Sequence, residues 1–293
     1  MKYKFSHIAL STSSKDKRVL PIATQVYEIL SNAGIKVSFD SNLLNLEKPT
    51  KTKHKTPSYI IKNSELLIAI GGDGTMLNCS RRYGAKGVSI LGINLGKVGF
   101  LTDIAPNEVT SRLLEVIKGD YIEDKRFFLE ASLEGKKETY IALNEIVIHS
   151  GAIAQLIEYD LLIDDSFVYR QKADGLIVNS PTGSTAYSLS GGGPIVHPGL
   201  DAITLLPMFP QSLSTSPLVV KASSKITVDL ISSKLKSQIS FDSHDSLIVK
   251  GKQKVVISRS TSELNLIHPK DHDFFEGCRN KLGWSSGLEN KAK

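Results

Sequence analysis

Apolar runs and helical patterns alternate over the first part of the chain. Leu66 to Ile70 is a run of five apolar residues, which predicts a strand buried on both faces. Asp16 to Ala33 has apolar residues at helical spacing and ends at Gly34, a typical helix terminus. Such alternation predicts a doubly wound, mostly parallel sheet in an α/β domain. The other predicted elements here are strands at Lys4–Ser11, Ile35–Phe39 and Val88–Ile93, helices at Met76–Tyr83 (with Gly84 as its C′ residue) and Pro106–Lys118, and a mobile basic surface loop at Ser41–Ser58.

From Tyr121 onward the pattern changes to many short strands, which predicts an all-β, sandwich-like C-terminal domain. A stretch rich in glycine and hydroxyl residues, Asp174 to His197, interrupts these strands. We therefore expect residues 1–105 to form the N-terminal α/β domain, with the tail 270–293 packing back on it, and residues 106–269 to form the β-rich domain. The predicted strands are Phe127–Leu133, Tyr140–His149, Ile157–Ile163, Phe167–Arg170, Leu218–Lys221, Lys225–Ile231, Ser237–Phe241, Ser246–Val249 and Lys254–Arg259.

The first candidate site is the loop Gly71-Gly72-Asp73-Gly74-Thr75, which follows the buried strand and opens a helix. A strand, a glycine turn and a helix start leave backbone N–H groups unpaired, and phosphate oxygens suit such groups. A carboxylate repels phosphate, so Asp73 indicates either a group that takes a proton from a hydroxyl nucleophile or a ligand for magnesium. The alternative is a tight turn with an Asp N-cap.

Three further segments bear on chemistry. The polar pair Asn144-Glu145 interrupts an apolar strand; if buried it needs partners such as ribose hydroxyls, and otherwise it marks an exposed strand end. Asp174 stands just before another apolar run. Ser180 to Ser190 predicts a turn that opens a helix; its hydroxyl and amide groups suit sugar or base edges, and Tyr187 suits stacking on a base, although a well-capped helix has the same pattern.

Composition and charge narrow the range of expected cellular locations and partners. The two cysteines among 293 residues, Cys79 and Cys278, do not form a disulfide framework, so we expect a cytoplasmic protein. No apolar run approaches membrane-spanning length, and none suits a signal peptide. The formal net charge of +6 suits anionic small molecules. Nucleic acid is not expected as a partner, because no stripe of Lys and Arg interleaved with aromatic residues is present.

Together these segments resemble the NAD kinase family in its Gram-negative bacterial form. The resemblance rests on the Gly71–Thr75 loop, the Asn144-Glu145 pair and the segment from Asp174 through Pro181–Ser190, and further segments such as Asn265–Pro269 and Lys281–Ser285 resemble the Gram-negative form. Diacylglycerol-type lipid kinases and phosphofructokinases share the glycine loop, whereas Pro181–Ser190 discriminates. The resemblance implies transfer of the γ-phosphate of ATP to the 2′-hydroxyl of the adenosine ribose of NAD, giving NADP and ADP.

The resemblance also implies partners and roles. It implies a divalent cation, normally Mg²⁺, as cofactor, with no ligands assigned, and a homotetramer or dimer. It implies Asp73 as the general base. The implied substrate-binding residues are Gly72, Gly74 and Thr75 in the phosphate loop, Asn144 and Glu145 at the ribose and diphosphate, Thr182, Thr185, Ala186, Tyr187 and Ser190 at the adenine and ribose, Phe100 packed nearby, Asp174 towards the nicotinamide end, and Lys172 and His244.

Two of these positions leave a question open. Lys172 stands where close relatives often have Arg, so the preference between NAD and NADH is left open. His244 is either a hydrogen-bonding group on the ligand side or a plain loop histidine. The other histidines are interpreted as structural or exposed.

Two other functions share part of this pattern of motifs. A lipid kinase would share the glycine loop but lack the pocket around Thr185-Ala186-Tyr187. A non-catalytic sensor of nicotinamide nucleotides would keep that pocket and lose the base, which the presence of Asp73 argues against.

Overall fold

The computed structural model describes residues 3–43, 54–96, 99–152, 155–212, 215–231 and 236–284. The chain divides into two compact units, residues 1–125 with 264–293 and residues 126–263. This division differs from the expected boundary after residue 105. Residues 106–125 belong to the first unit because the helix Val109–Lys118 buries its apolar side chains in the same core as the helix Val19–Asn32.

The first unit is built on a parallel sheet, which confirms the predicted α/β class. Its elements are strands β1 His7–Ser11, β2 Lys36–Asp40, β3 His54–Lys55, β4 Leu66–Ile70 and β5 Ser89–Ile93, and helices α1 Val19–Asn32, α2 Pro57–Asn63, α3 Asp73–Arg82 and α4 Val109–Lys118. The strand order is β3-β2-β1-β4-β5, and Leu266 and Ile267 pair in parallel with β5. All five residues of β4 are buried, as its apolar run predicts.

Three details of this unit differ from the sequence prediction. Helix α3 begins at Asp73 rather than Met76, so the glycine loop itself opens the helix. Gly84 starts a 3₁₀ turn and is required there because a Cβ would overlap the Leu264 side chain. The predicted loop is wrong at its end, where Thr56 caps α2 by accepting a hydrogen bond from the Tyr59 N–H. Its residues 44–53 lie outside the described part of the chain.

The second unit contains two antiparallel sheets that share one core, which confirms the predicted sandwich-like β domain. Counting along the chain, the elements are β6 Tyr121–Leu133, β7 Tyr140–Ala142, β8 Glu145–His149, β9 Ile157–Ile163, β10 Ser166–Ala173, β11 Gly175–Asn179, helix α5 Tyr187–Ser190, β12 Ala202–Met208, β13 Leu218–Lys221, β14 Ile226–Leu230, β15 Lys236–Phe241, β16 Asp245–Lys250 and β17 Gln253–Pro269. One sheet has the order β13-β12-β11-β8-β15-β16, and the other includes β10-β9-β14-β17. Side chains of both sheets meet in a single buried cluster.

In the second unit, the strands β11 and β12 were not predicted, and one predicted strand is divided into two. β11 lies inside the stretch interpreted as an interruption, and β12 follows it. The strand predicted at Tyr140–His149 is two strands, β7 and β8, which are separated at Leu143 and Asn144. Beyond β17, the chain adds helix α6, Phe274–Leu282, to the first unit. Among the described helices, none has both the length and the apolar character needed to cross a lipid bilayer.

Candidate functional site

The Asp73 carboxylate is held by the backbone of a neighbouring loop. Its two oxygens accept hydrogen bonds from the N–H of Phe100 (3.0 Å) and of Leu101 (3.1 Å). The loop can approach this closely because residue 99 is glycine; a Cβ there would overlap the carboxylate. The structure therefore brings Asp73 and Phe100 together, and it fixes the orientation of the one acidic side chain in the glycine loop.

The other loop residues surround the start of α3. Gly72 is the N-cap residue, and its carbonyl accepts hydrogen bonds from the N–H of Thr75 and of Met76. Thr75 is buried, and its hydroxyl accepts a hydrogen bond from Ser13 at 3.1 Å. Gly74 is exposed. The positive end of the helix dipole and the first N–H groups of α3 thus lie at the predicted phosphate loop.

A lysine of helix α6, Lys281, lies beside the glycine loop. The Lys281 ammonium lies 3.6 Å from an Asp73 carboxylate oxygen and 4.6 Å from the centre of the Phe100 ring. Sequence reasoning did not assign Lys281 a role, because more than half of the chain separates it from the loop. The only signal for it was the resemblance of the segment around Lys281 to the family.

In the second unit, the Asn144-Glu145 pair is buried rather than exposed at a strand end. Within the described residues, Asn144 Oδ1 and Glu145 Oε2 lack a hydrogen-bond partner, although buried polar atoms are normally paired. Burial, with a smaller contribution from the nearby Asp242 charge, raises the pKa of Glu145 to about 8. The pair therefore offers two buried polar atoms to a ligand.

Asp242 holds this pair in place and was not predicted. Its carboxylate accepts hydrogen bonds from the N–H groups of Leu143 (2.9 Å), Asn144 (2.7 Å) and Glu145 (3.3 Å). Both Asp242 and Ser243 have positive φ, in the tight turn between β15 and β16. The sequence signal was the polar run Asp242 to Asp245, from which only His244 was selected.

The segment 180–190 packs beside the same pair. The Ser180 N–H donates to the Asn144 carbonyl at 2.9 Å, and residue 183 is glycine because a Cβ would overlap that carbonyl. The segment forms a 3₁₀ turn at Thr182–Thr185, followed by the short helix α5. Its Tyr187 N–H also lies against the Glu145 carboxylate.

The other predicted residues of this segment differ in exposure. The Thr182 hydroxyl accepts a hydrogen bond from Arg126, a residue that sequence reasoning missed. Thr185 and Ala186 are half-buried and Ser190 is exposed. Tyr187 is 44% exposed, so its ring is not part of the core. It lines a cavity of about 410 Å³ together with Ser190 and Met208.

Three predicted residues lie at other positions of this unit. Asp174 is half-buried at the start of β11, where its N–H donates to the Met208 carbonyl. Lys172 is exposed on β10, with its ammonium 3.7 Å from Glu158. His244 is exposed in the turn that carries Asp242, and its N–H donates to the Phe241 carbonyl at 3.0 Å. His244 thus lies two residues from Asp242, which holds the Asn144-Glu145 pair. Among the described residues, no hydrogen bond or ion pair joins Lys172 or Asp174 to that pair.

A glycine loop that opens a helix behind a buried parallel strand, with a fixed carboxylate and a lysine beside it, fits a phosphotransferase. Comparison with known proteins narrows this class. The ATP-NAD kinase N-terminal domain family matches residues 8–121, and the ATP-NAD kinase C-terminal domain family matches residues 143–269.

Individual relatives agree with these matches. An NAD kinase of Saccharophagus degradans is 42% identical over 266 residues, covering 89% of this chain and 90% of the relative. The structure of yeast NADH kinase complexed with NADH superposes with a TM-score of 0.85 at 27% identity, covering 96% of this chain and 88% of that one. An NAD kinase from Archaeoglobus fulgidus in complex with ATP gives a TM-score of 0.72 at 26% identity, covering 94% and 97%.

The chain belongs to the NAD kinase family. The predicted family and the predicted activity, a kinase that phosphorylates NAD to NADP, are confirmed. The roles of individual residues stay predictions.

Proposed function

We propose that this chain performs the family reaction with Asp73 as the general base, which takes the proton of the 2′-hydroxyl of the adenosine ribose of NAD as the γ-phosphate of ATP is transferred. The observation that supports this role is the fixed carboxylate of Asp73 at the start of α3. A ribose hydroxyl is a weak nucleophile, and a positioned carboxylate assists its deprotonation. Phosphoryl transfer otherwise needs mainly positioning and neutralisation of charge.

The phosphates would bind at the start of α3. Gly72, Gly74 and Thr75 provide backbone N–H groups and the helix dipole, and the absence of side chains at the glycines leaves room for the phosphate. Lys281 supplies positive charge close to the base. This charge would offset the repulsion between the Asp73 carboxylate and the phosphates.

The phosphate site at the start of α3 fits the proposed Mg²⁺. Mg²⁺ keeps several waters and binds substrate phosphates, so the phosphates would supply its oxygen ligands here, and no protein ligand is assigned. When bound, the ion would neutralise charge on the transferring phosphoryl group.

The adenosine half of NAD is proposed to bind at the Asn144-Glu145 pair. Asn144 Oδ1 and Glu145 Oε2 would take the partners that they lack within the described residues, since ribose hydroxyls donate hydrogen bonds. The exposed Tyr187 ring would stack on the adenine. The remaining proposed contacts are Thr182, Thr185, Ala186 and Ser190 at the adenine and ribose, with Phe100 nearby, His244 as a polar contact, and Asp174 and Lys172 towards the nicotinamide.

We also propose a homotetramer or dimer in the cytoplasm. Exposed apolar side chains on the second unit support assembly, including Phe209 and Ile248 at 80% and 63% exposure. The two cysteines are free and buried, which supports a reducing compartment.

The test is a coupled assay with purified protein, ATP and Mg²⁺, in which an NADP-specific dehydrogenase reads the product. Parallel reactions with NAD and with NADH measure the preference between these two substrates, which the lysine at position 172 does not decide. We expect NADP to form from NAD in an ATP-dependent manner. Formation of no NADP above background would contradict the proposal.

A further inference from the structure

A group of two histidines and one aspartate in the first unit takes no part in the proposed reaction. Asp103 lies between β5 and α4, His268 lies near the end of β17, and His272 lies just before α6. One Asp103 oxygen contacts His268 Nδ1, and the other contacts His272 Nδ1 at 2.8 Å. The three potential ligand atoms all lie within 4.8 Å of one another.

We propose that Asp103, His268 and His272 bind one divalent cation of the zinc class, separate from the magnesium of the reaction. Two imidazoles and one carboxylate form a donor set that suits Zn²⁺, whereas Mg²⁺ prefers oxygen ligands alone. Zinc ligands in a tetrahedral site lie roughly 3.3 Å apart, given Zn–N distances of about 2.0 Å. Small side-chain rotations therefore suffice to admit the ion between the three donors.

The surroundings of His268 support a metal site. Its ring is almost fully buried, and Nε2 lies 3.6 Å from a carboxylate oxygen of Asp124, on the side away from Asp103. Histidines that bind metals usually donate their second N–H to a carboxylate, which orients the ring and raises its basicity. Asp124 is placed to act as that orienting group.

The site also has an open side. Asp103 and His272 line a cavity of about 260 Å³. Three protein ligands and an open position, normally occupied by water, are typical of zinc sites that are not closed structural ones. The His268 and His272 rings stack with centres 4.0 Å apart, so the two Nδ1 atoms already face the same carboxylate.

A proton competes with the metal ion for the His268 ring. Burial opposes protonation of His268, but the hydrogen bond to Asp103 and the nearby Asp124 carboxylate outweigh it and raise the pKa to about 9. Without metal, the cluster would therefore be an imidazolium held by carboxylates. The experiment must separate these two states by metal uptake, not by stability alone.

The test uses the full-length protein, stripped with EDTA and titrated with ZnCl₂ in an excess of Mg²⁺ by calorimetry. Co²⁺ then serves as a spectroscopic probe, since its visible bands report on nitrogen ligands and geometry. We expect one Zn²⁺ per chain and a rise in melting temperature on its addition. The His272→Phe variant keeps a stacked ring and removes a ligand, so we expect at least a ~100-fold loss of Zn²⁺ affinity and no rise in melting temperature.

Two further variants test whether Zn²⁺ binding depends on this cluster alone. Asp124→Asn should weaken Zn²⁺ binding by ~10–100-fold, the usual scale for an orienting partner. His197→Phe changes an exposed histidine of the second unit and should bind as tightly as the parent. Substoichiometric uptake by the parent would overturn the proposal, and so would equal affinity in the His272→Phe variant; either result would leave the cluster as hydrogen-bonded histidines only.

Discussion

At the residue scale, the proposed chemistry depends on the Asp73 carboxylate. Replacing Asp73 with Asn keeps the size of the side chain and removes the proton acceptor. We expect turnover to fall by ~10²–10⁴-fold while NAD binding changes little. Steady-state kinetics and calorimetric NAD titration measure the two effects. Asp120→Asn is the control, because among the described residues the Asp120 side chain pairs only with the exposed Lys270. Turnover of Asp73→Asn within a few-fold of the parent would exclude the base role.

Tyr187 provides a second test at this scale, because its ring is 44% exposed beside the proposed adenosine site. Replacing it with Ala should raise the Michaelis constant for NAD much more than that for ATP, through a stacking loss of about 1–3 kcal/mol. Tyr187→Phe keeps the ring and should resemble the parent. Equal weakening towards both substrates, together with a lower melting temperature, would instead identify Tyr187 as a structural residue.

Glu145 links the site to the pH dependence of stability. Its pKa is about 8 in the folded protein, against 4.5 for an ordinary glutamate. The folded state therefore holds a proton that the unfolded state has lost, and the free energy of unfolding should fall by about 3–5 kcal/mol as pH rises from about 4.5 to 8. Glu145→Gln should remove this part of the slope. Denaturant titrations of both proteins across that window measure it, and parallel pH profiles would refute it.

At the element scale, the break between β7 and β8 shapes the proposed ribose site, and Asp242 maintains that break. Asp242→Asn replaces one accepting oxygen with an NH₂ group, leaving at least one of the three N–H groups unpaired. We expect the free energy of unfolding to fall by about 1–3 kcal/mol and the Michaelis constant for NAD to rise. Asp245→Asn, an exposed acid of the same hairpin, is the control. An unchanged Michaelis constant in the Asp242 variant would show that Asp242 does not position the pair.

Local patterns explain which elements the sequence could predict. The apolar run of β4 and the spacing and terminal glycine of α1 are local signals, so their positions agree to within a few residues. The break at Asn144 is not local, because the carboxylate that captures its N–H lies 98 residues away. β11 was not predicted because its short apolar run was interpreted as part of the glycine-rich segment that follows it.

The same limit applies to the candidate sites. The glycine loop, Asn144-Glu145 and the 180–190 segment are contiguous motifs, and a resemblance to a family can find them. Lys281 beside Asp73 depends on the return of the chain to the first unit. The contacts of Asp103 with His268 and His272 span 165 and 169 residues, so no spacing rule indicates them.

At the scale of the whole molecule, the exposed apolar surface predicts association. Ile248 is 63% exposed on β16, an edge strand of the six-stranded sheet. Exposed edges with apolar side chains favour pairing with another chain. We expect a dimer or tetramer in light scattering and a shift to smaller species in Ile248→Asp. Lys250→Asp, two residues along the same strand, is the control, and a fully active monomeric parent would contradict the prediction.

The division of the chain also has a consequence for its synthesis. A ribosome makes Asp73 and strand β5 before the second unit, yet the strand that pairs with β5 contains Leu266 and Ile267, and the lysine beside Asp73 is Lys281. The whole second unit, residues 126–263, is made in between. The nascent first unit therefore carries an unpaired sheet edge until Leu266 and Ile267 have been made. A chain that stops before α6 can hold the proposed general base, but it lacks the cation that lies beside it.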